Sequence, residues 1–152
     1  MLKRTHLAIG LAIGLYFLPY VNNQLLFIPI IIISSLLPDL DSANTYLGRK
    51  RFLRPLGMIF KSRGILHTYT FCILISIILA MYYPIYALPF FLGYSFHLLA
   101  DSFTTNGIRP FWPLKYVSTG VVNTGGKIDN ALFYTFLIIN AVLISITLGI
   151  FS

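Results

Sequence analysis

The chain has 152 residues, of which 57% are apolar and only 10% are charged, and its mean hydropathy is +0.82. This composition excludes an ordinary soluble globular protein and predicts a single membrane-embedded domain over residues 1–152. The formal net charge of +7 is interpreted as membrane topology and contact with anionic lipid headgroups, because the sequence has no separate basic module with interleaved aromatic residues that would bind nucleic acid.

Five apolar segments predict an all-α, polytopic membrane protein. In chain order they cover residues 7–21, 24–37, 68–83, 85–100 and 130–151. The first four are shorter than the roughly 20 residues that a helix needs to cross a bilayer. We therefore expect them to thin the membrane locally, to sit toward one face, or to extend into their polar flanks. Pro38 is expected to end the second helix.

The placement of the basic residues predicts the orientation of these helices. All eleven lie before the first segment or within the loops 38–67 and 101–129, so five crossings put every one of them on the same side. The positive-inside rule makes that side cytoplasmic, with the N-terminus inside and the C-terminus outside.

The same argument brings all three histidines and all four acidic residues to the cytoplasmic ends of the predicted helices. Ionisable groups near membrane depth are costly unless they are paired, metal-bound or hydrated, so this cluster predicts a functional site. Its members are His6, Asp39, Asp41, His67, His97, Asp101 and Asp129.

Two short patterns within the cluster favour metal binding. His97 and Asp101 in HLLAD are one helical turn apart on one face, a spacing that offers two ligands to one ion. In PDLD, Asp39 and Asp41 follow a helix stop, and one or both can reach the same site. A hydrogen-bonded His–Asp pair and a helix cap are the respective alternative interpretations.

Imidazole and carboxylate ligands without thiolates predict a catalytic divalent metal, with Zn, Mn, Fe and Mg all compatible. Seven candidates exceed the needs of one tetrahedral ion, so two ions sharing a bridging aspartate, Asp39 or Asp41, are an alternative to one. Such centres activate water and neutralise charge on a phosphoryl or acyl oxygen, which predicts hydrolysis.

Other polar residues near the proposed ligands are predicted to assist them. Arg63 lies four residues before His67, where it can hold a phosphate oxygen, although a positive-inside flank explains it equally well. Thr104 and Thr105 follow Asp101 closely and can orient its carboxylate or contact substrate.

The chain resembles the YdjM-like family of inner-membrane proteins, which are regarded as metal-dependent hydrolases. The resemblance covers nearly the whole chain and rests on five ordered motifs, THLAIG, SLLPDLD, RGILHT, GYSFHLLADSFTTNGIRPFWP and NTGGKID. It implies an inner-membrane hydrolase whose metal ligands are His6, Asp39, Asp41, His67, His97 and Asp101.

Two positions depart from the family pattern. Ser62 stands where the family usually has His, so any role of that His is lost or passes to Ser62. Asp129 stands where the family usually has Glu, so a carboxylate is kept on a shorter side chain and serves as a possible additional ligand.

These observations predict a hydrolase that cleaves a (phospho)ester of a lipid or lipid-linked substrate at the cytoplasmic headgroup layer. It would use one or two ions, Zn first among them, with Asp39, Asp41 and Arg63 as catalytic residues. Peptide hydrolysis is disfavoured because the sequence has no His-Glu-x-x-His pattern. The alternatives are a proton or divalent-metal transporter and a non-catalytic scaffold tied by a structural metal. The transporter is disfavoured because the outer helix ends carry no ionisable residues except tyrosines.

Overall fold

In the computed structural model the chain is helical, and the structure describes residues 1–41 and 64–149, with side chains described for 1–39 and 64–149. The described residues form five α-helices, α1 (Lys3–Phe17), α2 (Gln24–Ser34), α3 (Tyr69–Tyr82), α4 (Pro84–Ser102) and α5 (Lys127–Thr147). Three 3₁₀ turns cover Leu18–Tyr20, Leu37–Asp41 and Ile65–His67. Within the described ranges β-type pairing is limited to two isolated bridges in the segment between α4 and α5. The all-α prediction is confirmed.

Two helix ends differ from the predicted ones in a way that affects the candidate ligands. The helix α1 begins at Lys3 because the backbone N–H groups of Thr5 and His6 already donate to the carbonyl of Leu2. His6 therefore lies within α1. The helix α2 ends at Ser34, three residues earlier than predicted, and Pro38 lies in the 3₁₀ turn that follows rather than at the helix end.

Small residues bring the helices close together around α1 and α4. The helix α1 packs against α2, α4 and α5, while α4 packs against α1, α2 and α3. A Cβ added at Gly93 would lie 2.2 Å from Ser34 Oγ and 2.5 Å from the carbonyl oxygen of Ile31, so only glycine permits this contact between α4 and α2. Such small-residue contacts are typical of helices packed in membranes. They place the end of α2 directly beside α4.

The helix α5 is the only described helix that is long and apolar enough to cross a membrane, judged by its length and composition. The helices α2 and α3 are apolar but shorter. Large apolar side chains are exposed on α3 and α5, among them Leu74, Ile77 and Ile138, as expected for faces that contact lipid. The other four predicted crossings remain a prediction.

Candidate metal centre

Four of the predicted ligands come together where α4 ends and α3 begins. Asp39, His67, His97 and Asp101 each offer one ligand atom, and these atoms all lie within 4.8 Å of one another. The two histidines and Asp101 are buried, whereas the Asp39 side chain is 19% exposed. Residues far apart in the sequence thus form one compact cluster of ligand atoms.

The distances within this group suit an ion better than direct hydrogen bonds. Nε2 of His67 lies 3.9 Å from Asp39 Oδ1 and 4.0 Å from Asp101 Oδ2. Nε2 of His97 lies 3.9 Å and 3.7 Å from the same two oxygens. A regular tetrahedron with edges of about 3.9 Å has its centre about 2.4 Å from each corner, close to the roughly 2.0–2.2 Å of zinc bonds to nitrogen and oxygen. The donor set therefore fits a divalent cation.

The orientation of His97 is fixed from behind by the backbone at the end of α2. Its Nδ1 lies 2.6 Å from the carbonyl oxygen of Ser35, which can only accept a hydrogen bond, so Nδ1 carries the proton. The lone pair of the neutral ring is then on Nε2, which is buried and has no hydrogen-bond partner among the described residues. A buried nitrogen lone pair that faces two carboxylates is the arrangement a metal ligand requires.

His67 is presented by the 3₁₀ turn that precedes α3. The Tyr94 hydroxyl donates a hydrogen bond to the carbonyl of Leu66, the neighbour of His67. Thr68 caps α3 by accepting a hydrogen bond from the N–H of Phe71 at 3.1 Å, and it donates to the carbonyl of Ile65 at 2.6 Å. The turn is thus held from both α3 and α4.

His6 lies beside the four-residue group rather than within it. Its ring stacks on His97, with ring centroids 3.8 Å apart and an angle of 19° between the planes. Nε2 of His6 is 3.2 Å from Asp101 Oδ1, but the geometry is not that of a hydrogen bond, and neither ring nitrogen has such a partner in the described part of the chain. The α-amino group of Met1 also contacts Asp101 Oδ1. One oxygen of Asp101 therefore faces His67 and His97, and the other faces His6.

Asp129 occupies a separate position, where its carboxylate joins the beginnings of α1 and α5. It accepts hydrogen bonds from the N–H of Leu2 at 3.0 Å, the hydroxyl of Thr5 at 2.7 Å and the N–H of Gly125 at 2.8 Å. Asp129 is fully buried and lies outside the four-residue group. These contacts are those of a residue that fixes the helix ends.

The two threonines after Asp101 make backbone contacts. The Thr104 hydroxyl donates to the carbonyl of Asp101 at 2.7 Å and accepts from the N–H of Gly107 at 3.3 Å, so it stabilises the turn after α4. Thr105 is exposed, and its N–H donates to the carbonyl of Val122. Neither hydroxyl has a hydrogen bond to the Asp101 carboxylate.

The side chains of three predicted site residues are not described. Asp41 closes the 3₁₀ turn that holds Asp39, but its side chain lies outside the described residues, and so do Ser62 and Arg63.

The sequence analysis missed Ser35 and Tyr94, which position the two histidines. Ser35 acts through its backbone carbonyl, which every residue carries, so the sequence held no signal for its role. Tyr94 carried no signal either, since α4 contains several aromatic residues.

Comparison with known proteins shows which family the chain belongs to. The family described as YdjM inner membrane protein matches residues 1–151. The proteins named "Inner membrane protein YdjM" from Escherichia coli K12 and from Shigella flexneri are each 33% identical over 98 residues, which cover 59% of this chain and 50% of the relative. The aligned part thus spans about half the length of these curated relatives. No solved structure matches at a significant level. The chain belongs to the YdjM family of inner membrane proteins.

Proposed function

We propose that this inner membrane protein is a metal-dependent hydrolase that cleaves a (phospho)ester of a lipid or lipid-linked substrate. The observation that carries the proposal is the convergence of Asp39, His67, His97 and Asp101, whose ligand atoms lie within 4.8 Å of one another. Two nitrogen and two oxygen donors without a thiolate favour a catalytic ion, with Zn first and Mn, Fe or Mg as alternatives.

These four residues would hold the ion, and a bound divalent cation would activate water and polarise a phosphoryl or acyl oxygen. If two ions are bound, Asp101 is a further candidate for the shared ligand, beside the predicted Asp39 or Asp41, because one of its oxygens faces His97 and the other faces His6. His6 would then serve the second ion.

The chain's own residues orient this centre and open it on one side. The carbonyl of Ser35 holds His97 in one tautomer, and the stacked ring of His6 covers the adjoining face. Asp39 is the most exposed of the four, with 19% of its side chain accessible against 3% or less for the others. Water would therefore reach the centre past Asp39, whose carboxylate can accept a proton from an attacking water.

The position of the centre favours a substrate that stays in the membrane. Asp101 contacts Met1, and Asp129 contacts Leu2. The end of α4 and the beginnings of α1 and α5 therefore lie close together. Arg4 and Lys127 lie at these helix beginnings, so cationic side chains accompany the site. We propose that this end faces the cytoplasmic headgroup layer, where basic residues attract anionic phosphoesters.

The direct test measures metal content and turnover on the same purified protein. Protein reconstituted with membrane lipids and one added metal would be assayed by mass spectrometry for released headgroup or phosphate, alongside His97→Ala and Asp39→Asn. Ser145→Ala is the matched control, because this partly exposed serine on α5 bonds only within its own helix. We expect turnover in the parent and the control only.

The other outcomes separate the competing functions. Stoichiometric metal with no product from any lipid class would favour the structural scaffold. Metal flux into sealed vesicles without hydrolysis would favour the transporter. Protein that binds no divalent ion would reject the metal centre itself.

A further inference from the structure

An apolar groove opens between α4 and α5, on a face of α4 next to the one that carries His97 and Asp101. Its volume is about 460 Å³, within the roughly 300–1,000 Å³ of sites that take organic ligands. Ile9 of α1 forms its floor, Phe96 and Leu99 of α4 line one wall, and Leu132 and Phe136 of α5 line the other. The lining is almost entirely apolar.

The groove ends beside the candidate metal centre. Ala100 and Met1 line this end, and each adjoins Asp101: Ala100 precedes it in α4, and the α-amino group of Met1 contacts its carboxylate. Phe103 and Val121, at 59% and 80% exposure, form the rim beside the loop after α4. A ligand in the groove would thus have one end next to Asp101 and its length along the exposed faces of α4 and α5.

We propose that this groove holds one acyl chain of the lipid substrate and directs its headgroup toward Asp101. The inference rests on the proposed function, whose substrate class it narrows to lipids with a hydrocarbon chain. The absence of polar lining groups excludes a sugar or nucleotide moiety, which would leave its polar atoms unpaired. A hydrocarbon chain needs no such partners, and it can fill an apolar groove by van der Waals packing alone.

The test measures lipid capture without turnover. The full chain would be placed in detergent micelles that contain a trace of phosphatidylglycerol carrying a diazirine in one acyl chain. The sample would be irradiated, and the crosslinked peptides would be mapped. We expect crosslinks on the α4 and α5 residues that line the groove, and we expect excess unlabelled phosphatidylglycerol to suppress them.

A matched pair of variants on α5 distinguishes the groove from the outer surface. Leu132→Trp fills the groove, whereas Leu137→Trp makes the same change at a 46% exposed position that does not line it. The larger side chain of Leu132→Trp occupies the space of the bound acyl chain, so crosslinking of the groove residues should be largely lost in this variant and unchanged in Leu137→Trp. If Leu132→Trp does not fold, Val121→Trp repeats the test at the rim of the groove, where the substitution lies in a loop rather than in a helix.

Three results would overturn the inference. The first is equal crosslinking of both faces of α5, and the second is unchanged crosslinking in both groove variants. The third is a dimer that Leu132→Trp dissociates, because the groove would then be an interface with a second copy of the chain. Because capture is measured without hydrolysis, its failure leaves the proposed activity standing. Capture without any turnover would reject the activity and retain the groove.

Discussion

Nδ1 of His97 lies 2.6 Å from the carbonyl oxygen of Ser35, so the backbone at the end of α2 determines which nitrogen of His97 faces the candidate metal centre. Because the acceptor is a main-chain atom, the identity of the residue at position 35 matters less than where α1 and α4 hold it. A Cβ added at Gly10 of α1 would lie 3.0 Å from both Cβ and Oγ of Ser35.

Gly10→Ala should therefore weaken metal binding without touching a ligand. The added methyl pushes Ser35 by a few tenths of an ångström and loosens its contact with His97. Loss of a hydrogen bond that orients a metal ligand typically lowers affinity about 10- to 100-fold, and we expect the lower end of that range. A competition titration against a chelating dye measures it.

Gly14→Ala is the control for that experiment, since it makes the same change one turn later in α1. Its added Cβ would meet the terminal methyl of Ile28 at 2.8 Å, the far end of a flexible side chain that can move aside. Equal losses of metal affinity in both variants would show that helix packing, rather than the Ser35–His97 contact, is responsible.

A bound ion should stabilise the fold in proportion to its affinity. At a free zinc concentration one hundred times the dissociation constant, binding to the native state alone adds about 2.7 kcal/mol to the free energy of unfolding. For a chain of this length that raises the unfolding midpoint by roughly 5–10 °C. His97→Ala and Asp101→Asn should abolish the rise in a thermal scan of detergent-solubilised protein. An unfolding midpoint of the parent protein that does not change with zinc, manganese, iron or magnesium would contradict the metal centre.

Asp129→Asn should destabilise the protein but leave its metal content intact. The amide replaces one acceptor oxygen with a donor that faces the N–H groups of Leu2 and Gly125 or the hydroxyl of Thr5. Leaving a buried polar group without its partner costs about 1–3 kcal/mol. Thermal unfolding measures the loss, and elemental analysis of the same sample checks the metal. Loss of stoichiometric metal would instead make Asp129 part of the centre.

Five crossings with the N-terminus inside predict that a reporter joined after Ser152 lies outside the cytoplasm. Alkaline phosphatase is active only in the periplasm, and green fluorescent protein is fluorescent chiefly in the cytoplasm, so the two fusions give opposite readings. We expect phosphatase activity and weak fluorescence. The reverse pattern would mean an even number of crossings. The basic residues would then not all lie on the same side of the membrane.

Hydropathy was sufficient to predict the five helices, because apolar runs bounded by Pro, Asn and Gly have few alternatives in lipid. The i, i+4 spacing likewise predicted that His97 and Asp101 share a face. The separate roles of Asp101 and Asp129 could not be predicted, since both are aspartates at helix ends and differ only in which donors meet them. The role of Ser35 was also out of reach, because it acts through a backbone carbonyl that every residue carries.

Tyr94→Phe should weaken metal binding through His67, because the Tyr94 hydroxyl donates to the carbonyl of Leu66 and so steadies the turn that presents this ligand. Tyr69→Phe is the matched control: the Tyr69 hydroxyl also donates to a carbonyl, that of Ser95 at 3.1 Å, but that carbonyl lies within α4. Each substitution removes a hydrogen bond to a backbone carbonyl, and such a bond contributes about 1 kcal/mol, so both variants should lose stability. Only Tyr94→Phe should also lower zinc affinity, by roughly tenfold in the same dye competition, because only it frees the neighbour of a ligand. Equal affinities in the two variants would mean that the rest of the 3₁₀ turn, including the Thr68 cap, holds His67 without Tyr94.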